Sequence, residues 1–426
     1  MSARSLLRRL RAPAPDAPLV FACLVLIVFG VVLRAQRLHF PRGFSWDEHH
    51  FVLNARNYLA GLPDLNDHPP LGKLLLALPM HLLGDNSVAW RLAPFLLGSL
   101  SIVLAGLLAS WATGRKTSFW IGAAFVAADG FLIAYSRTAL LDGMLACLCL
   151  GAVVVAVRSR SALGVAAAAL LLGSACAIKY SAVVFVPVLV WAALSKRSPL
   201  LSSLTVMLAP AAYVGWFSIG LWMAKRPFGI SGVVSETKRL YLHHAGLTHW
   251  KHPLLSHWYE WYLPTRPLPM RNDPMSDGRT RIMTSLGNPL LWWLVDVAVV
   301  FAALSLLVAG LLALRKHGLR AAVSRVRGIS GAGSRRLLLL VCWCAPIAPW
   351  LISNRDSYLN HYLPAYAFGL VLVTTLFDEV RSRFRTAGLV ALLIVGQVSF
   401  FYAPVWGQLP LSRAGVEARL FLTRWR

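Results

Sequence analysis

Charge is scarce in this chain. Charged residues make up 14% of the 426, where soluble domains hold about a quarter. Acids are scarcer still, 17 against 42 Lys and Arg, while 57% of the residues are apolar. That combination excludes a soluble globular protein. It also excludes disorder for the bulk of the chain, because too much apolar surface would be left in water. Cysteine is scarce too. Cys23, Cys147, Cys149, Cys176, Cys342 and Cys344 all fall in apolar stretches, which fits inert core thiols better than a disulfide framework or a zinc site. No internal repeat and no low-complexity segment is present. The missing repeat weighs against a transporter built from inverted halves. The net charge of +25 is spread between apolar blocks, so membrane topology explains it better than a nucleic-acid partner.

Long apolar runs are what the chain does have. A membrane span needs about 20 apolar residues. Eleven segments qualify as spans: roughly 18–34, 89–113, 117–135, 139–157, 161–177, 180–195, 199–223, 288–314, 336–352, 360–377 and 386–403. Arg4, Arg8, Arg9 and Arg11 precede the first one, and it ends in Arg34-Ala35-Gln36-Arg37 with no small-residue cleavage site. An uncleaved first helix is expected. With a cytoplasmic N-terminus, about half of the basic residues fall in cytoplasmic segments. These include Arg115/Lys116, Arg158/Arg160, Lys196/Arg197, the basic loop 315–336 and Arg381/Arg383/Arg385. That is the positive-inside pattern. The expected architecture is an all-α polytopic membrane protein, a single membrane domain over 1–426. It has two long periplasmic loops, 35–88 and 224–287, and a periplasmic tail, 404–426. Two amphipathic stretches of the first loop, 47–60 and 71–83, are suited to the membrane surface.

Chemistry-bearing residues collect in these outer regions. Asp47 and Glu48 follow Trp46 where a helix should begin. An Asp there is a good N-cap, and two carboxylates at the membrane face are also placed for acid–base work. His68-Pro69-Pro70-Leu71-Gly72-Lys73 is a helix start flanked by His and Lys. It can meet a phosphate, or Lys73 can simply snorkel. Asp129, Arg137 and Asp142 lie near the outer ends of spans three and four, where a charge costs less than the ~2.5–3.5 kcal/mol of the bilayer centre. They read either as a structural Asp–Arg tie or as an anion site. Arg91 and Lys179-Tyr180 fall on the same side. Adjacent His pairs (His49/His50, His243/His244) are poorly spaced for a metal, and Asp273 and Asp277 sit in a turn-like Pro/Gly segment. No metal site is expected.

Six motifs in order now stand out: Trp46-Asp47-Glu48, His68-Pro69-Pro70-Leu71-Gly72-Lys73, Arg137 with Leu141-Asp142, Lys179-Tyr180, Leu286-Gly287-Asn288-Pro289 with Trp292-Trp293, and His361-Tyr362-Leu363-Pro364. Together they resemble the protein O-mannosyltransferases, over nearly the whole chain from 44 to 366. The resemblance implies a GT-C type glycosyltransferase fold of about eleven transmembrane helices with a catalytic first outer loop. It implies inverting transfer of a sugar, expected to be mannose, from a polyprenyl-phosphate carrier to a Ser/Thr hydroxyl of a protein, with no cofactor. By motif, Asp47 matches the catalytic base and Glu48 its neighbour that orients loop or acceptor. Arg137, Arg91, Lys179, Lys73, His68 and His361 are the candidates for the donor phosphate, Arg137 ranked first, with Asp142, Asp129 and Tyr362 in support. The second outer loop has no room for the large soluble insertion of eukaryotic members, so a bacterial short form in an inner membrane is expected. The expected partners are the lipid-linked donor, a protein or lipid acceptor, membrane lipids and the secretion machinery. Two rival readings are a transferase that modifies a lipid or polysaccharide, like the aminoarabinose transferases, and a transporter of a lipid-linked sugar.

Overall fold

The computed structural model describes residues 16–63, 67–195, 199–248, 252–327 and 331–425. Arg4, Arg8, Arg9 and Arg11, and Lys196 with Arg197, lie outside the described residues.

The bundle is assembled from α1 (Ala17–Ala35), α2 (Glu48–Ala60), α3 (Leu71–Leu83), α4 (Ser87–Thr113), α5 (Thr117–Ala127), α6 (Gly130–Ser136), α7 (Leu141–Arg158) and α8 (Ala162–Ile178). A 3-10 turn, Tyr180–Phe185, leads into α9 (Val186–Leu194), then α10 (Pro199–Met223) and α11 (Ile230–Ala245). After strands β1 (Pro269–Pro274) and β2 (Thr280–Thr284) come α12 (Pro289–Arg327), α13 (Ala332–Cys344), α14 (Leu363–Arg383), α15 (Arg385–Gly407), β3 (Pro410–Leu411) and α16 (Arg413–Arg419). Among the described residues seven helices are long and apolar enough to cross a membrane. The pair α5–α6, bent by 67°, makes an eighth if taken as one span. The expected segments 161–177 and 180–195 are present as shorter apolar helices. Segment 336–352 splits into α13 and a 3-10 turn, Ala348–Leu351.

Burial separates core helices from lipid-facing ones. α14 is buried along its first three turns and beyond, from Leu363 to Thr375, and packs on α4, α5, α7, α12, α13 and α15. α1 buries Leu19, Cys23, Leu26, Gly30 and Leu33 at helical spacing. Its opposite face, including Phe21 at 70% exposure, is left for lipid. Gly30 is required there, because a Cβ would lie 2.1 Å from the Ala127 carbonyl oxygen.

The bend between α5 and α6 has a stated cause. Asp129 caps α6 by accepting from the Phe131 and Leu132 amides (2.9 and 3.2 Å), which starts a new helix in a new direction. The carbonyls that α5 leaves free at its end are met by Arg34 of α1. Its guanidinium donates to Ala127 O (2.7 Å) and Val126 O (2.9 Å) and is fully buried. A buried cation thus satisfies orphaned helix-end carbonyls.

The chain is mostly helical, as the expected fold class has it, and β1, β2 and β3 add a small antiparallel sheet in the order β1-β2-β3. Its hairpin turns at Gly278 (φ +79°), a conformation that suits glycine. The C-terminal segment packs back on the rest of the chain, since β3 pairs with β2 and Trp425 donates to Pro264 O.

Candidate active site

The two adjacent acids of the first loop have opposite fates. Glu48 is fully buried and its carboxylate is saturated. It accepts from Arg91 Nε and Nη2 (2.8 and 2.7 Å), from the Ser45 amide (2.7 Å) and from the Ala139 amide (2.7 Å). Arg91 is used up in turn, donating to Leu38 O, Pro41 O and Gly43 O. The pair fastens the loop 38–48 to α4 and to the turn before α7. Asp47 precedes α2, yet its side chain makes no capping hydrogen bond. The residue is exposed, so its carboxylate keeps access to solvent. Partial burial raises its pKa above 3.8, opposed by His50, His49 and Lys179 and reinforced by Asp142.

Facing it is a second buried ion pair. Lys179 Nζ donates to Asp142 Oδ1 at 2.7 Å, and Asn360 Nδ2 donates to the same oxygen at 3.2 Å. Asp142 stands in the first turn of α7, where the helix dipole favours an anion. Lys179 terminates α8 in extended backbone, so its side chain points off the helix end. The Tyr135 hydroxyl, buried and without a hydrogen bond among the described residues, lies within electrostatic reach of Asp142 and Asp47.

A wall of aromatic and basic groups closes the other side. Lys73 donates to His68 O (2.6 Å), and the His68 ring stacks on His244 with centroids 5.2 Å apart. His244 Nε2 donates to Asp67 O (2.6 Å). Burial pushes His244 down to about 4, helped by Arg355, and holds His68 well below its ordinary range, helped by Lys179. Both imidazoles are therefore neutral at pH 7. The His361 ring stacks on Trp350 at 4.5 Å, and its buried Nε2 has no hydrogen bond among the described residues. Arg355 lies over the Trp350 ring at 5.8 Å, and burial lowers its pKa.

Of the residues expected at the site, the structure therefore brings together Asp47, Asp142, Lys179, His68, Lys73 and His361. It sets the others apart. Arg137, ranked first for the phosphate, points the other way. Its guanidinium donates to Leu33 O and Gln36 O at the end of α1, and its charged neighbours are Arg91 and Arg37. Arg91 is committed to Glu48. Asp129 caps α6, and its second oxygen accepts from the Asn288 amide and the Tyr366 hydroxyl. Tyr362 is fully buried among Trp292 and Tyr366 and accepts from Trp343 Nε1. These four hold the frame. Sequence reasoning missed Arg355, His244 and Asn360. The signal for Arg355 was a lone arginine in a short outer turn between Trp350 and Tyr358. His244 was weighed only as half of a metal pair.

A carboxylate open to solvent, opposite lysine, arginine and neutral histidines at one end of a helical membrane bundle, can take a proton from a hydroxyl while cations face an anionic leaving group. The fold agrees with that chemistry. The S. cerevisiae protein O-mannosyltransferase Pmt1-Pmt2 complex bound to the sugar donor superposes with a TM-score of 0.77 over 95% of this chain and 92% of that one, at 14% identity. ArnT from Cupriavidus metallidurans matches with a TM-score of 0.58 over 90% and 64%, also at 14% identity. The chain has the architecture of a GT-C type membrane glycosyltransferase. Sequence comparison narrows this. Residues 24–87 and 67–222 match the models of the dolichyl-phosphate-mannose-protein mannosyltransferases. Residues 231–425 match the C-terminal four-transmembrane region of protein O-mannosyltransferase. The polyprenol-phosphate-mannose–protein mannosyltransferase of Mycobacterium tuberculosis is 25% identical over 89% of this chain and 86% of its own length. Its Mycolicibacterium smegmatis namesake is 24% identical over 89% and 87%. The chain belongs to the protein O-mannosyltransferase family and is a mannosyltransferase.

Proposed function

We propose that this enzyme moves mannose from a polyprenyl-phosphate carrier to a Ser or Thr hydroxyl of a protein, with inversion, at the outer face of a bacterial inner membrane. In this reading the acceptor is delivered in extended form by the secretion machinery. The observation that supports it best is the unused carboxylate of Asp47 facing the Asp142–Lys179 pair. Asp47 takes the hydroxyl proton as the acceptor oxygen bonds to C1 of the sugar. The bond from C1 to the phosphate oxygen breaks, and its electron pair leaves with the lipid phosphate. Lys179 and Arg355 supply positive charge where that phosphate develops, and they draw it from the chain itself. Neutral His68 and His244 do not compete for protons near pH 7, and the buried His361 Nε2 has no hydrogen bond among the described residues.

The test is transfer of radiolabelled mannose from polyprenyl-phosphate mannose by the purified protein to a Ser/Thr peptide. Label in the peptide, lost in Asp47→Asn, supports the reading. Label found only in lipid transfers the assignment to a lipid-modifying enzyme, the class that the ArnT likeness represents.

A further inference from the structure

Most exposed arginines at the active-site end of the bundle are matched to acids: Arg56 to Asp85, Arg226 and Arg239 to Glu236, Arg266 to Glu260, Arg271 to Asp273, Arg279 to Asp277 and Arg413 to Glu417. Arg37, Arg42 and Arg281 have no carboxylate within salt-bridge distance among the described residues. They gather around one ring. Arg37 and Arg281 lie over Phe40 at 4.8 and 5.1 Å, and Arg42 follows two residues later. Beside them is a recess of about 550 Å3 between residues 39–43 and the β1–β2 hairpin, walled by His39, Arg42, Arg271, Arg281 and Asp273. Asp273 is the opposing acid. One of its oxygens is held by Arg271 at 2.6 Å, and the other is buried without a hydrogen bond. Three arginines against one carboxylate leave the recess net positive. Arg281 also keeps a buried Nε without a partner.

The place of the recess points to its ligand. It opens four residues beyond α1, whose outer face (Phe21 70%, Val28 59%, Val32 56% exposed) is lipid-facing. An opening just past such a helix lies at head-group height. We infer that this recess is a binding site for the phosphate of an anionic phospholipid, separate from the donor site at Lys179, with Arg42 and Arg281 as its principal ligands. A guanidinium fork suits a phosphodiester. The recess is also joined to the catalytic loop. Arg271 Nη1 donates to Phe44 O (2.8 Å), and the Trp46 amide donates to Met270 O (3.0 Å). Occupancy therefore bears on the segment that carries Asp47.

The test uses the full chain in neutral detergent with equimolar phosphatidylglycerol and phosphatidylcholine of matched chain length, read by native mass spectrometry. Phosphatidylglycerol is expected to be retained in preference. The preference should fall about fivefold for each arginine removed, and so about 25-fold in Arg42→Gln/Arg281→Gln. Arg279→Gln, whose cation is already matched on the same hairpin, leaves it unchanged. If the double variant is not recovered folded, Arg42→Gln alone, on an exposed loop, carries the fivefold expectation. Equal retention of both lipids by the wild-type protein overturns the site. Displacement of the lipid by glycerol phosphate at the same concentration overturns the lipid assignment in favour of a soluble phosphate. Displacement by an acidic peptide, without lipid preference, overturns it in favour of a polypeptide.

Discussion

Two buried ion pairs stand at the same end of the molecule, and they are built differently. Glu48–Arg91 is closed. Every strong hydrogen-bonding position on the carboxylate is taken, and the guanidinium ends on three carbonyls. Asp142–Lys179 is open. A single lysine–carboxylate contact and one asparagine amide account for its hydrogen bonds among the described residues, and an ammonium has three donors to give. The closed pair fixes a loop. The open one leaves capacity for a group that arrives from outside, and Asp47 stands beside it. Saturation, more than burial or charge, separates architecture from site here.

That contrast can be broken by experiment, beginning with the largest effect. Asp47→Asn should cost about 10²–10⁴ in transfer rate, the usual scale of a positioned base. Its melting temperature should stay level or rise. Burial raises the Asp47 pKa in the folded state, so its contribution to stability is present at low pH and lost as pH rises through the raised value. At neutral pH the ionised carboxylate is thus a net cost that Asn removes. A melting temperature that drops with activity would place Asp47 with Glu48 as a fastener.

Arg91→Ala should do the reverse, leaving Glu48 buried without its cation. A loss of about 3–5 kcal/mol in stability is expected, seen as poor recovery from the membrane or an early thermal transition. A stable, correctly folded variant with weak donor binding would make Arg91 a site residue after all. Lys179→Met should raise the donor KM and lower kcat about 10²–10³-fold, on the scale of one charge-stabilising donor, with some loss of stability because Asp142 is left with Asn360 as its hydrogen-bond donor among the described residues. Arg137→Ala should lower stability by about 1–3 kcal/mol through the carbonyls it abandons and leave donor KM unchanged. A raised KM would restore it to the phosphate. The smallest effect is on pH. The acid limb of the rate profile should lie above the range of an ordinary aspartate, because the base is lost as pH falls through its raised pKa. A limb at or below 3.8 would show that burial does not shift the base.

Much of this was legible in the sequence. α2 and α3 coincide with the periodic stretches 47–60 and 71–83, because amphipathic spacing is a local property. Asp47, Asp142, Lys179 and His361 were named from motifs that the fold brings to one place. What could not be read was which partner each charge meets. Arg137 and Lys179 look alike in sequence, each a cation at the edge of an apolar span. One ends on carbonyls of α1, 101–104 residues away, and the other on a carboxylate 37 residues away. The small sheet was hidden for a similar reason. Its strands are five and six residues or fewer, and β3 comes from 126 or more residues beyond β2. Only the turn at Asp277-Gly278 was visible locally.

Arg34 gives the bundle an order of assembly. It belongs to α1, and the carbonyls it serves belong to α5, 92 and 93 residues later. Until α5 and α6 arrive, the α1 arginine has only the Gly30 carbonyl of its own helix to meet, and the carbonyls at the end of α5 lack the donors that Arg34 supplies. The two segments are each incomplete alone and complete only as a pair.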